Sequence, residues 1–286
     1  MSDQLKGLTI TALGVLMVVP DSLFVRLIEA DALVIAFWRN MIAGVLLVVG
    51  VLVWQGTRPY RALPGTGIYG VIYAVAVGCA GIMFPLAISL TSVANVVFTL
   101  AAMPVFAAIY SRIFLGESIS RRMVLTMLAV AVGLSLLAYG SGETEGAHWT
   151  GDLTALGVAA LFAAGLTAAR KVRSVSMVAM VPVGYIGGSL LLWPFIAPLS
   201  IPDGQWHFAI FHGVFIAGSS IGLALGPRYI PSAEVGLLIL LESVLAPLLA
   251  WAVVGEDPGA YALLGGAVVI GALAVSNAVA LSRRRA

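Results

Sequence analysis

Three ionisable side chains stand inside long apolar runs: Asp21, Arg39 and Glu242. Charge at membrane depth is costly, so such residues face a partner or a water-filled path. Arg39 lies eight residues past Asp31, roughly 12 Å along a helix rising about 1.5 Å per residue. Asp21 lies at a similar depth from the same side, and Glu242 falls near the middle of its own run. The expected pair is therefore Arg39 with Asp21 or Arg39 with Glu242. Two kinds of chemistry fit. A buried ion pair would lock the helices together, whereas Arg39 or Glu242 could meet the carboxylate or ammonium of a zwitterionic small molecule. Trp38, Phe84, Asn95, Phe98, Thr99, Phe162 and Ser243 reach comparable depth and complete the candidate substrate-binding set. Proline removes a backbone donor and frees a carbonyl one turn earlier, which makes Pro20 and Pro104 candidate hinges.

Other chemistries find little support. His207 and His212 are five residues apart and do not share a helical face, while His148 falls in a loop. With one cysteine, Cys79, and three histidines, no metal site, cofactor or internal disulfide is expected. No nucleophile with a base, and no pair of catalytic carboxylates, suggests an intramembrane enzyme. Gly-x-x-x-x-Gly-Lys-Ser/Thr is absent, which argues against direct coupling to ATP. No long basic tract suggests nucleic acid.

The elements that would position these residues follow from composition. The chain of 286 residues is 61% hydrophobic and 10% charged, with a mean hydropathy of +1.07. Soluble domains carry about 25% charged residues. From Ala62 to Ser111 there is no Asp, Glu, Lys or Arg, and about 20 apolar residues suffice for one crossing. The polar breaks predict ten spans, over 5–28, 32–54, 66–89, 91–113, 120–140, 152–171, 175–199, 206–228, 231–254 and 259–281. In lipid these must be helices, since open strands would leave backbone groups unpaired. Gly7 to Val19 has no small-residue cleavage site behind it and is expected to remain as the first span.

Basic residues give the orientation. Thirteen of the fifteen fall on one side: Lys6, Arg58, Arg61, Arg112, Arg121, Arg122, Arg170, Lys171, Arg173, Arg228 and Arg283 to Arg285. The other side collects Glu29, Asp31, Glu143, Glu145, Asp152, Asp203, Glu256 and Asp257. Both termini are expected on the cytoplasmic side of a bacterial-type inner membrane. Small residues that permit close helix approach recur at Gly184 and Gly188, and at Gly218, Gly222 and Gly226. They suit static packing or sliding faces.

Thr11-Ala-Leu-Gly-Val15 recurs as Thr154-Ala-Leu-Gly-Val158, and Ala94 to Glu117 aligns without a gap on Ala233 to Glu256. The expected units are residues 1–140, a connector over 141–151, and residues 152–286. Five spans is an odd number, so the second unit enters the membrane in the opposite sense, an arrangement common among secondary transporters.

Ala101-Ala-Met-Pro-Val-Phe-Ala-Ala108 leading to Leu115-Gly-Glu117, and Leu240-Leu-Glu-Ser-Val-Leu-Ala-Pro247 leading to Val254-Gly-Glu256, resemble the EamA branch of the drug/metabolite transporter superfamily. The resemblance spans essentially the whole chain. Many members carry Glu-Pro where this chain has Glu242-Ser243, with its proline displaced to Pro247. Within the family the chain looks most like the YddG-type amino-acid exporters. The resemblance implies all-α architecture in two inverted five-helix repeats, alternating access, and a small metabolite as substrate, most readily a neutral or aromatic amino acid. Export of drugs or quaternary ammonium cations is the alternative, with a carboxylate and aromatic rings binding the cation. Glu242 coincides with a glutamate recurrent in the family, which suits a shared architectural role. The partners implied are that metabolite and the lipid bilayer. Nothing in the sequence sets an oligomeric state.

Overall fold

The computed structural model describes residues 3–141, 148–172, 175–225, 229 and 232–285. Arg173, Glu143, Glu145, Gly226, Arg228 and most of the expected connector lie outside them. Among the described residues the secondary structure is entirely helical. Eight segments are long and apolar enough to cross a membrane, and two shorter apolar stretches, Leu238–Val254 and Ala260–Ser276, follow them.

Two of the spans are broken in the middle. The first consists of α1 (Asp3–Val18) and α2 (Asp21–Leu27). Pro20 has no N–H to continue the ladder, so the helix turns at Val19-Pro20 and restarts at Asp21. The break thus sets Asp21 and Ser22 deep inside the bundle, at 3% and 1% exposure. The other broken span consists of α6 (Val93–Leu100) and α7 (Met103–Leu115). It turns at Ala101-Ala102, and Pro104 sits at the start of α7, where its missing donor would have been unpaired anyway.

The remaining helices are α3 (Ala32–Gln55), the short α4 (Arg58–Ala62), α5 (Gly67–Leu90), α8 (Arg121–Ser141), α9 (Trp149–Lys171), α10 (Val181–Leu192), α11 (Trp206–Leu225), α12 (Ser232–Val254) and α13 (Ala260–Arg285). Caps define several starts: Asp31 accepts from the Leu33 amide and Ser92 from the Asn95 amide. Pro85 and Pro247 lie within continuous helices. α10 is shorter than the expected 175–199, because a 3-10 turn containing Pro194 ends the regular helix at Leu192.

Helices approach closely where glycines face each other. A Cβ on Gly222 would lie 2.6 Å from Gly14 Cα, and one on Gly184 would lie 2.4 Å from the Ala74 carbonyl oxygen. In lipid, with little hydrophobic drive between helices, such contacts carry much of the cohesion. Gly184→Leu should therefore lower stability by at least about 1–3 kcal/mol, the usual cost of overpacking. Thermal unfolding of the purified variant in detergent checks this. A melting temperature equal to that of the parent would show that α5 and α10 can part freely here.

The largest core cluster lies between α2, α3, α5, α6, α9, α11 and α12. It is asymmetric along the bundle. Every residue of α6 from Val93 to Thr99 is buried, and α6 packs on α9, α12 and α13. Past the break, Met103 to Tyr110 are all partly exposed. There α7 packs on α9 and α8, and Val105 joins Leu240 of α12 around one smaller core cluster.

Candidate functional site

Arg39 takes Asp21 as its partner. Its Nε and Nη2 donate to the two carboxylate oxygens at 2.8 and 2.5 Å, and Nη1 donates to Asn40 Oδ1 at 2.9 Å. The Phe84 ring lies under the guanidinium, 5.6 Å from centroid to Cζ, and Tyr185 is buried beside it. Asp21 has a second partner, His212 Nε2 at 2.5 Å from Oδ1. His212 stacks on Phe24 at 5.3 Å and is fully buried. An ion pair without water is stable only when its geometry and remaining hydrogen bonds are well met. Here the two-pronged guanidinium contact and the imidazole donor meet that condition. Three polar atoms around the node have no partner among the described residues: Ser22 Oγ, Asn40 Nδ2 and His212 Nδ1.

Glu242 is left over. It is half-buried on α12, and among the described residues no hydrogen bond or ion pair engages its carboxylate. It lies within electrostatic reach of both Asp21 and Arg39. Two carboxylates thus share one arginine, and the arginine is committed to Asp21. Ser243 beside it is buried at 4% exposure, and Phe162 packs partly buried against the main core cluster.

The other sequence candidates are dispersed. Trp38 sits among aromatic rings, edge-on to Phe37 and Trp206, with its indole N–H donating to the Pro198 carbonyl at 2.6 Å. Phe98 packs between α8 and α13, close against Gly266. Thr99 is buried just before the α6–α7 break, where its carbonyl accepts from the Ala102 amide. Asn95 belongs to a polar network at the start of α6: its Nδ2 donates to Thr91 Oγ1 at 3.3 Å and to Asp152 Oδ1 at 3.2 Å, and Thr91 Oγ1 donates to Asp152 at 3.0 Å.

At that end Arg26 Nε donates to Glu256 Oε2 at 2.7 Å and Nη2 to the Thr91 carbonyl at 2.8 Å, while Glu256 Oε1 accepts from the Val93 amide at 2.5 Å. The sequence puts Arg26 near the end of the first expected span and Glu256 in the loop after the ninth, and nothing in it signals their contact. Sequence reasoning also sets His212 aside, since nothing in the spacing of α11 signals a carboxylate 191 residues away.

Among the described residues, an all-helical bundle with eight segments long and apolar enough to cross a membrane, built around a buried polar node, describes a polytopic membrane protein. The EamA-like transporter family matches the chain twice, over residues 5–139 and 149–278. The chain belongs to that family. It is 25% identical over 256 residues to a protein of Archaeoglobus fulgidus known as an uncharacterized transporter, covering 89% of this chain and 90% of that one. Its fold is shared with a solved crystal structure at a TM-score of 0.63, with 16% identity and 98% of each chain covered.

Proposed function

We infer that this transporter exports small metabolites bearing an ammonium group, most readily neutral amino acids, by alternating access and without nucleotide. The observation that carries the reading is Glu242, a mid-span carboxylate with no hydrogen bond or ion pair among the described residues, near an arginine already paired with Asp21. An unpaired charge at this depth is expensive unless a ligand completes it. An ammonium group does so, while Phe84, Phe162 and the surrounding apolar residues accommodate a neutral side chain. Residues 1–140 and 152–286 act as opposed five-helix units that exchange inner and outer gates, with 141–151 connecting them and Pro20 and Pro104 as hinges. The charge distribution supports cytoplasmic termini in an inner membrane, which sets Glu256 outside and Glu117 inside.

The commitment of Arg39 to Asp21 also favours a second reading, export of quaternary ammonium cations, because no free cation remains among the candidate residues for a substrate carboxylate. Purified protein in liposomes separates the two. Labelled neutral amino acids are expected to cross faster than through empty liposomes, without ATP. If a lipophilic cation is accelerated and no amino acid is, the cation reading replaces the first.

A further inference from the structure

Between α3 and α5 the chain crosses one end of the bundle as α4 (Arg58–Ala62) and a 3-10 turn over Leu63–Thr66. A glycine brackets each side of this strap. Gly56 has φ +65° and Gly67 φ +54°, in the left-handed region that residues with a Cβ seldom enter. They turn the chain out of one span and back into the next. The strap has two faces: Pro59, Tyr60 and Leu63 are half-buried and Thr66 is buried, whereas Arg58, Arg61, Ala62 and Pro64 are exposed. Arg58 and Arg61 are three residues apart and share one side of the helix.

Among the described residues no ion pair engages either arginine. The chain offers no counter-charge nearby, since no Asp or Glu lies between Asp31 and Glu117. The connection from α7 to α8 also has exposed arginines at its ends, Arg112 and Arg121, but carries Glu117 between them. Leading away from the strap, α3 exposes Val53, Val49 and Leu46, and α5 exposes Ile68, Val71 and Val75. Each set follows the spacing of one helical stripe. Trp54, 78% exposed, stands where interfacial tryptophans anchor a span at headgroup level. Two unpaired guanidinium groups therefore head two apolar stripes.

We propose that this strap is a lipid site, where Arg58 and Arg61 hold the phosphate of an anionic phospholipid whose chains lie on the exposed stripes of α3 and α5. Guanidinium groups match phosphate oxygens in two-pronged geometry. With two positive charges and no carboxylate at the strap, a headgroup without an ammonium is favoured. The stripes give the acyl chains a surface that a free phosphate would leave unused.

Tryptophan quenching by bromine-labelled lipids tests this on the full chain in nonionic detergent. The chain has six tryptophans, and the difference between each protein and its Trp54→Phe counterpart isolates Trp54. Brominated phosphatidylglycerol should quench Trp54 at lower concentration than brominated phosphatidylcholine. A basic residue near an anionic surface is worth roughly 5-fold in affinity, so Arg58→Gln/Arg61→Gln should raise the half-quenching concentration of phosphatidylglycerol about 25-fold. Arg112→Gln/Arg121→Gln should leave it unchanged. Both double variants should unfold like the parent, because the side chains replaced are exposed. Equal quenching by the two lipids in the parent would overturn the proposal. An equal weakening in both double variants would overturn it in favour of general surface charge. Displacement of phosphatidylglycerol by an equal concentration of inorganic phosphate would overturn it in favour of a phosphate site that needs no lipid.

Discussion

Asp21→Asn will be among the most destabilising single substitutions in this protein. It leaves the Arg39 guanidinium buried, 4% exposed, without its carboxylate, and breaking one side of a buried pair costs about 3–5 kcal/mol. Arg39→Met removes the other side but leaves Asp21 accepting from His212 Nε2, so its loss should be the smaller. The double variant Asp21→Asn/Arg39→Met removes both charges and should recover most of the stability, since an uncharged pair of similar volume needs no counter-ion. Unfolding of the three purified variants in a detergent–denaturant titration gives the order. If the double variant is as unstable as Asp21→Asn, packing around the node matters more than charge balance.

Glu242→Gln should give the opposite pattern, with stability kept and transport lost. No hydrogen bond or ion pair is broken among the described residues, and removing an uncompensated charge from the bundle relieves an electrostatic penalty. A hydrogen bond to a charged group contributes about 1.5–3 kcal/mol, which converts to a roughly 10- to 150-fold weaker apparent affinity for an ammonium-bearing substrate. The concentration dependence of uptake into liposomes, set beside a melting curve, reads both quantities. Unchanged kinetics with unchanged stability would remove Glu242 from the site. Lost stability would make it a structural residue.

These two outcomes divide along a line visible in the chain. Hydropathy and the spacing of polar breaks suffice for an all-helical membrane protein, because every backbone group in lipid has to be satisfied within its own segment. The depth of Asp21, Arg39 and Glu242 follows from the rise per residue alone. The paired Gly-Glu motifs and the repeated Thr-Ala-Leu-Gly-Val are likewise legible, since a duplicated unit keeps its register.

Helix rotation is what the sequence leaves open. In water a helix shows its buried face by polar contrast, but lipid-facing and core-facing positions are equally apolar. The pattern therefore does not say that Phe98 turns toward α13 while Phe84 lies under Arg39. Nor does it decide which carboxylate Arg39 takes. Asp21 wins because Pro20 breaks the first span and sets α2 against α11, which also brings His212 to the same oxygen. The Arg26–Glu256 contact joins residues 230 positions apart. Only the way the helices pack brings those two charges together at one end of the bundle.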